Sequence, residues 1–461
     1  MISKRGVEDM NKAIEVCILA AGKGTRMKSS KPKVLHPIAG RPMLRHLVST
    51  VQSLDINNVH VVVGSGADEV KQSFQNDDID FVLQLEQKGT GHAVMQALPH
   101  FDESKRVLIL LGDAPLLKAE TIEQMLKCEC DLGVLTVIQA NPFNYGRIIR
   151  QHDQIIEIVE EKDAGDEQRQ ISEVNTGVMI ADVKKLSRWL DRITPENSQG
   201  ELLLTDIVKM ANSDGDVVKG IVAADPIEVQ GVNDFEQLSQ LERYYQTSIA
   251  KQLMQGGVHL MDPNRIDVRG DLKVGADSTI DINCIFEGNV SLGSNVRVGA
   301  NCKIIDSTIA DNVEIKPNSI IEGASLEAGC SVGPFVRLRP GAQLGQDVAI
   351  GNFVEVKKTT LGRGSKASHL SYLGDAIIGA GVNIGAGTIT CNYDGVNKHI
   401  TEIQDDVFVG SNTALVAPVV VGQGSTIAAG STITKQIDAD SLAIGRGRQK
   451  NLSNWKGPRS K

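Results

Sequence analysis

From Ile266 onward the chain repeats every six residues, and few folds accept such a period. Val268, Val274, Ile280, Phe286, Leu292, Val298 and Ile304 follow one another at that spacing without a miss. After one-residue slips the pattern resumes at Ile309, Ile315 and Ile321, then at Leu326, Val332, Leu338, Leu344, Ile350 and Val356. It returns as Ile403, Val409, Leu415, Val421, Ile427 and Ile433. Neither the turn of a helix nor the two-residue alternation of a strand produces this period. A parallel β-helix with three flat faces does, one hexapeptide per face, with the aliphatic side chain pointing inward. Small or aliphatic residues two positions earlier, such as Ser278, Cys284, Val296 and Cys302, let the wall close. Gly or Asn is expected at the corners, where φ is unusual, and glycine follows the aliphatic residue at Gly275, Gly293, Gly299, Gly345, Gly351, Gly410 and Gly422. Three hexads complete a coil, so Cys284 and Cys302 stack at roughly the 4.8 Å strand spacing as packing residues. Prisms of this type are generally left-handed, against the usual crossover rule.

Before residue 230 the pattern is different. The apolar runs at 15–21, 59–64 and 106–115 read as strands buried on both faces. Residues 41–54 place apolar side chains at helical spacing. Strands alternating with helices predict an open α/β sheet, which binds ligands where loops leave the carboxyl ends of its strands. Residues 235–258 read as one long helix ending in glycines. The domain plan is therefore a disordered extension over 1–11, an α/β domain over 12–234, a linker helix over 235–257, a β-helix over 258–440 and a basic tail over 441–461.

Composition excludes several classes. With 461 residues the chain is too long for one ordinary core, and 41% apolar against 3% aromatic residues makes those cores aliphatic. A net charge of −9 argues against a general nucleic-acid binder. Seven cysteines without framework spacing read as reduced thiols of a cytoplasmic protein, and Cys128 with Cys130 lacks the second pair a zinc site needs. No apolar run reaches membrane-spanning length, and the residues before Met10 lack a signal-peptide layout.

The first strand runs into LAAGKGTRM (19–27), with KPKVL at 31–35. Gly22 and Gly24 let backbone N–H groups approach phosphate oxygens, and Lys23, Arg26 and Lys33 can neutralise them. It is neither a Walker A loop nor a dinucleotide fingerprint, since Met27 stands where a third glycine would be. QKGTGHA (87–93) suits main-chain contact with a planar base. LGDAP (111–115) sets Asp113 at the end of a buried strand, where a carboxylate can hold Mg²⁺ between phosphates; the plainer reading is a turn-capping Asp. YGRI (145–148), IVEEKD (158–163), VNTGVMI (174–180) and EVQGVND (228–234) pair turns with polar groups suited to sugar hydroxyls or metal. In the prism, the segments around Arg339, Lys357, His369, Tyr372, Asn383 and Lys398 are dense in cations, phenol and amide. A lone wall histidine is more often a solvated side chain, but here cations recur in successive coils that stacking brings together, which favours a functional His369.

Together these motifs closely resemble the bacterial bifunctional N-acetylglucosamine-1-phosphate uridyltransferase/glucosamine-1-phosphate acetyltransferases, from about residue 12 to the tail. The resemblance implies that Leu19, Ala20, Ala21, Gly22, Gln84, Gly89, Thr90, Leu111 and Gly112 hold the uridine nucleotide, with Lys33 on phosphate beside the loop residues Lys23, Gly24 and Arg26. Gly146, Glu160 and Asn175 would contact the amino sugar. Asp113 and Asn233 would bind one Mg²⁺ per uridylyltransferase site, with a second carried by the nucleotide as an open alternative. One departure is Leu111, where such enzymes often carry an aromatic. His369 would be the base for acetyl transfer, since an imidazole with an ordinary pKa of about 6.5 can take the amine's proton. Arg339, Lys357, Tyr372, Asn383 and Lys398 would bind glucosamine 1-phosphate, and Glu355 would orient the base or the amine. Ala386, Asn392, Tyr393, Ser411, Ala429 and Arg446 would line the acetyl-CoA site. The family's partners are UTP, acetyl-CoA and the two sugar phosphates, leading to UDP-N-acetylglucosamine for peptidoglycan and lipopolysaccharide. The loop TITCNYDGVNKH would project over a neighbouring subunit of a homotrimer. The tail 445–461, with six Lys or Arg and no acid, is either a solvated end or a cover for CoA phosphates. Two rivals remain open: a nucleotidyltransferase whose prism only regulates or assembles it, and a scaffold that kept the fold without the sites.

Overall fold

Strands with no polar face must be covered on both sides, and that requirement organises the first half of the chain. The computed structural model describes residues 13–455; the extension expected over 1–11 and the end of the basic tail lie outside them. Two compact units divide between Tyr245 and Gln246.

The first unit is a mixed sheet with spatial order Val218–Val222, Leu132–Ile138, Glu173–Asp182, Arg106–Leu111, Ile14–Ala20, Val59–Val63, Asp80–Leu83. Neighbours are parallel except for Glu173–Asp182, which runs antiparallel to both its partners. Successive side chains of a strand face opposite ways, so Val16 and Ile18 enter one core while Cys17 enters the other. The helix Met43–Gln52 buries Leu44, Leu47, Val48 and Val51 on the first face. The helix Val183–Leu190 buries Leu186 and Trp189 on the second. A hairpin, Arg147–Gln151 with Gln154–Val159, leans from the antiparallel strand, with the YGRI segment entering it and IVEEKD leaving it.

The long helix is Phe235–Gln255. Within the first unit, Tyr244 donates its hydroxyl to Asp225 at 2.5 Å, and the Asn233 N–H donates to Gln237 Oε1 at 2.7 Å. Within the second, the Gln246 amide donates to the Val268 carbonyl at 2.7 Å and accepts from its N–H at 2.8 Å, satisfying the first coil of the repeat.

The second unit is a parallel β-helix running from His259–Leu260 to Leu442–Ala443, the latter pairing with Thr426–Ile427 beyond the expected end at residue 440. Every hexad aliphatic from Ile280 to Val421 named above is buried, each worth about 2 kcal/mol. Coils advance by 18 residues where Ile285 meets Lys303 and by 17 where Lys303 meets Ile320, which accounts for the one-residue slips. Ser365, buried inside the wall, is satisfied by the adjacent coil: it donates to the Gly379 carbonyl at 2.6 Å and accepts from the Val382 N–H at 3.0 Å.

Asn and Gly take corners as expected, joined by Asp. Left-handed backbone at the first coils falls on Asp277, Asn283, Asn295, Asn301, Asn312 and Asn318, and the VG, LG and IG glycines do not take positive φ. Those glycines serve close approach instead. A Cβ on Gly275 would sit 2.6 Å from the backbone of Gly293 and Ser294, and one on Gly410 would sit 2.5 Å from the Ala429 nitrogen. Among the described residues no helix is long and apolar enough to cross a membrane.

Candidate functional site

In the first unit, the carboxyl ends of Ile14–Ala20 and Arg106–Leu111 open into a cavity of about 320 Å³, a size that suits a small organic ligand. It is lined by Leu19, Ala20, Ala21, Gly22, Lys33, Gln84, Gly89, Thr90, Leu111 and Asp113. A Cβ on Gly22 would meet no protein atom within 4 Å, so the backbone there faces open space. Val34, Gln87, Ala93 and Glu201 complete the lining, and the sequence reading did not single them out. Gln84 is buried, with its amide donating to the Gly89 carbonyl at 3.3 Å. Leu111 lies against Gly177, where φ is +83° and a Cβ would sit 2.6 Å from its Cδ1.

Lys23, Gly24, Arg26, Gly112, Gly146, Glu160, Asn175 and Asn233 are not part of that lining. Three of them form a second group. The Asn175 N–H donates to the Gly146 carbonyl at 2.8 Å, and a Cβ on Gly146 would sit 3.5 Å from the Glu160 carboxylate. Burial, followed by the nearby Asp206, Asp163 and Glu201, holds the Glu160 carboxyl above its ordinary range, despite the 3.1 Å hydrogen bond from Thr205. Arg147, 2% exposed, follows Gly146 in the chain and braces the loops beside the group. Its guanidinium donates to the Tyr145 carbonyl and pairs with Glu161 at 2.7 Å, while Glu161 accepts from the Asn144 N–H. Nothing in YGRI distinguished this arginine from a solvated one.

Asp113 and Asn233 converge on one point. The Lys33 ammonium pairs with Asp113 Oδ2 and donates to Asn233 Oδ1 at 3.0 Å, and Arg26 donates to the same Asn233 oxygen at 2.9 Å. The Val232 N–H donates to the Asp113 carbonyl at 2.9 Å, fixing the two segments together. Two hard oxygens directed at a cation make a partial ligand set. Among the described residues no cluster of three or more His, Cys, Asp or Glu could hold a metal by itself.

In the second unit the chain turns a corner at Leu370, φ +51°, between the strands Lys366–His369 and Tyr372–Ile378. His369 is exposed, and its Nδ1 lies 2.7 Å from Asn352 Oδ1, its neighbour in the ladder. An amide oxygen only accepts, so Nδ1 carries the hydrogen, which in the neutral ring leaves the lone pair on Nε2. Glu355 bonds Arg339 at 2.7 Å, and the side chain in contact with the imidazole is Asn352, which the motifs did not single out. Glu355 is in register with Tyr372, and Lys357 with Gly374. The Lys398 ammonium is held below the ordinary lysine range by the Lys357 ammonium beside it, on a fully exposed surface. Two cations kept this close suit a phosphate. Asn383 lies on the ladder that carries His369, in register with Lys366.

The remaining residues form a column on one corner. The Gly387 N–H donates to the Leu370 carbonyl at 3.1 Å, the Asn412 N–H to the Ala386 carbonyl at 2.8 Å, and the Gly430 N–H to the Ser411 carbonyl at 2.8 Å. Arg446 donates to the Ala429 carbonyl at 2.7 Å. His369, Ala386, Ser411, Ala429 and Arg446 therefore follow one another coil by coil. Asn392 and Tyr393 stand on the excursion that lengthens one coil to 25 residues between Ile389 and Ala414. The Asn392 amide donates to Asp375, and Tyr393 bridges back to Lys398.

An α/β cleft with a phosphate-type loop, followed by a hexapeptide prism presenting an oriented imidazole, defines a two-site transferase. The MobA-like NTP transferase domain family matches residues 16–157, the GMPPB C-terminal domain family residues 268–360, and the bacterial transferase hexapeptide family residues 400–435. The bifunctional protein GlmU of Marinobacter nauticus is 54% identical over 97% of this chain and 99% of its own length. That of Pseudoalteromonas atlantica is 52% identical over the same shares. The chain belongs to the GlmU family of bifunctional uridyltransferase/acetyltransferases of UDP-N-acetylglucosamine synthesis. A solved glucose-1-phosphate thymidylyltransferase from Bacillus anthracis, in complex with a sucrose, aligns at 22% identity over 50% of this chain and 94% of its own, with a TM-score of 0.42.

Proposed function

We propose that residues 258–440 acetylate glucosamine 1-phosphate with acetyl-CoA, and that residues 12–234 then transfer UMP from UTP to the N-acetylglucosamine 1-phosphate formed. In the first step the amine nitrogen attacks the thioester carbonyl, the C–S bond breaks, and the amine's proton passes to His369 Nε2 and on to the departing thiolate. Lys357, Lys398 and Arg339 hold the sugar phosphate, with Tyr372 and Asn383 beside it. Acetyl-CoA runs along the column Ala386, Ser411, Ala429, Arg446, its thioester towards His369, with Asn392 and Tyr393 at its flank. The observation carrying this reading is the imidazole, with its Nδ1 engaged by Asn352, at one end of that column.

In the second step an oxygen of the sugar phosphate attacks the α-phosphorus of UTP and pyrophosphate leaves. Leu19–Gly22, Gln84, Gly89, Thr90, Leu111 and Gly112 hold the nucleotide; Lys23, Gly24, Arg26 and Lys33 face its phosphates. Gly146, Glu160 and Asn175 hold the amino sugar. Asp113 and Asn233, the two oxygens already directed at a cation, are the protein ligands for Mg²⁺, which takes few protein ligands. That ion supplies charge neutralisation on the phosphates, and the protein supplies alignment. We place the reaction in the cytoplasm, as a supply of nucleotide sugar for cell-wall polymers. The assembly is a homotrimer whose acetyl sites lie between chains. Supporting it, Phe335 and Phe353 stack at 5.4 Å on the prism wall while half exposed, and Val396 at the tip of the 392–399 loop is 83% exposed.

The test is an assay of the full chain that follows thiol release and pyrophosphate separately. His369→Ala should abolish thiol release and leave uridylyl transfer from N-acetylglucosamine 1-phosphate intact. Asp113→Ala should do the reverse. Acetylation retained by the His369 variant would refute the assignment of the base.

A further inference from the structure

The Lys33 and Arg26 side chains are both engaged on the Asp113–Asn233 pair. Lys33 Nζ contacts both Asp113 and Asn233, with 11% of its side chain exposed, and Arg26 takes up the Asn233 oxygen as well. Asn233 Oδ1 has two lone pairs, and the two donors use both. A divalent ion bound to Asp113 and Asn233 would lie within a few ångströms of an ammonium that is nearly sequestered from water. At that separation the repulsion is too large for the two cations to share the site. Lys33 has one other class of partner within its reach, the phosphates of a nucleotide in the adjoining cleft, whose lining it forms.

We propose that Lys33 and Arg26 act as resident counter-cations that block the Asp113–Asn233 ligand pair until nucleotide phosphates draw them away, so that metal and nucleoside triphosphate enter together and the free enzyme does not load metal. This rests on the reading of Asp113 and Asn233 as metal ligands. The two side chains therefore serve the reaction twice: they balance the charge of Asp113, then that of the bound phosphates. Binding order follows from the exchange, because metal alone meets an occupied site.

The probe is Mn²⁺ with the full chain, its binding followed by electron paramagnetic resonance and by the relaxation rate of water protons, with no turnover involved. Without nucleotide, Lys33→Gln should bind Mn²⁺ at least about tenfold more tightly than the native protein, and the exposed Arg26→Gln should give a smaller gain. Adding Asp113→Asn to Lys33→Gln should remove the gain. Circular dichroism confirms that each variant is folded. Unchanged Mn²⁺ affinity in both Lys33→Gln and Arg26→Gln would overturn the proposal, as would a gain that survives Asp113→Asn. With UTP present, Asp113→Asn should lose the enhanced relaxation of the protein-bound Mn²⁺ complex. If it does not, the metal-ligand reading itself fails; if it does while neither Lys33→Gln nor Arg26→Gln changes Mn²⁺ affinity, only the exchange fails.

Discussion

Asn352→Ala tests the acetyl-transfer geometry at a residue that need not touch substrate. The Asn352 amide oxygen fixes one hydrogen on His369 Nδ1 at 2.7 Å, leaving the Nε2 lone pair as the base. Removing it frees the ring to rotate and to adopt the other tautomer, in which Nε2 carries the hydrogen and cannot accept the amine's proton. A net hydrogen bond of this kind is worth about 0.5–1.5 kcal/mol, and about 1.4 kcal/mol is tenfold in rate. The kcat for thiol release should therefore fall about two- to tenfold, with KM for acetyl-CoA nearly unchanged and uridylyl transfer unaffected. The decisive measurement is the double variant. In a His369→Ala background Asn352→Ala should cost nothing further, because it acts only through the ring. A kcat equal to the native enzyme's, or a loss that adds to that of His369→Ala, refutes the reasoning.

A Cβ on Gly374 would collide with the Tyr372 phenol ring, so Gly374→Ala should raise KM for glucosamine 1-phosphate while pyrophosphate release stays normal. Arg147→Met leaves Glu161 with Arg169 at 3.8 Å and the Asn144 N–H; unfolding of the first unit should become easier by about 2 kcal/mol, read as a lower denaturant midpoint, and KM for N-acetylglucosamine 1-phosphate should rise. Burial raises the Glu160 pKa, so the folded protein binds that proton more tightly than the unfolded chain does, and its stability falls as pH rises from the unfolded value through the folded one. Glu160→Gln should accordingly raise Tm at pH 7 and lose that advantage at more acid pH; an equal gain at every pH would contradict it. Burial also pushes the Cys17 and Cys284 thiols up to about 12, so a thiol reagent at pH 8 should not modify either in the native protein, as peptide mapping after unfolding can establish.

The repeat was legible because its cause is local. One inward position per hexad must be aliphatic, and the sequence prints that requirement directly, down to slips that become 17-residue coils. The α/β half was legible for the same reason: 16–18 and 61–63 are apolar without interruption because both faces are covered. Residues acting through a partner far along the chain were not. Asn352 matters only because the ladder places it beside His369, and in the sequence it is one more asparagine in a wall full of them. Arg147 reads as a surface cation until the hairpin buries it. The glycines after each aliphatic residue were visible, but not their reason: the next coil's backbone occupies the space a Cβ needs. The sequence offers Lys33 for phosphates, yet its hold on Asp113 and Asn233 depends on segments 80 and 200 residues away.

The corner column also makes the prism a ruler. From His369 the positions step through Ala386, Ser411 and Ala429 to Arg446, four coils at a strand pitch of roughly 4.8 Å, or about 19 Å in all. The pitch is set by backbone hydrogen bonds, so no side-chain substitution can stretch it. Two anchor points held at such a graduated separation select a ligand by its length as much as by its chemistry. Excising one whole coil between Ser411 and Ala429 would leave the ladder continuous while moving Arg446 one graduation closer to the imidazole, and a cofactor arm of fixed reach could then engage one end or the other.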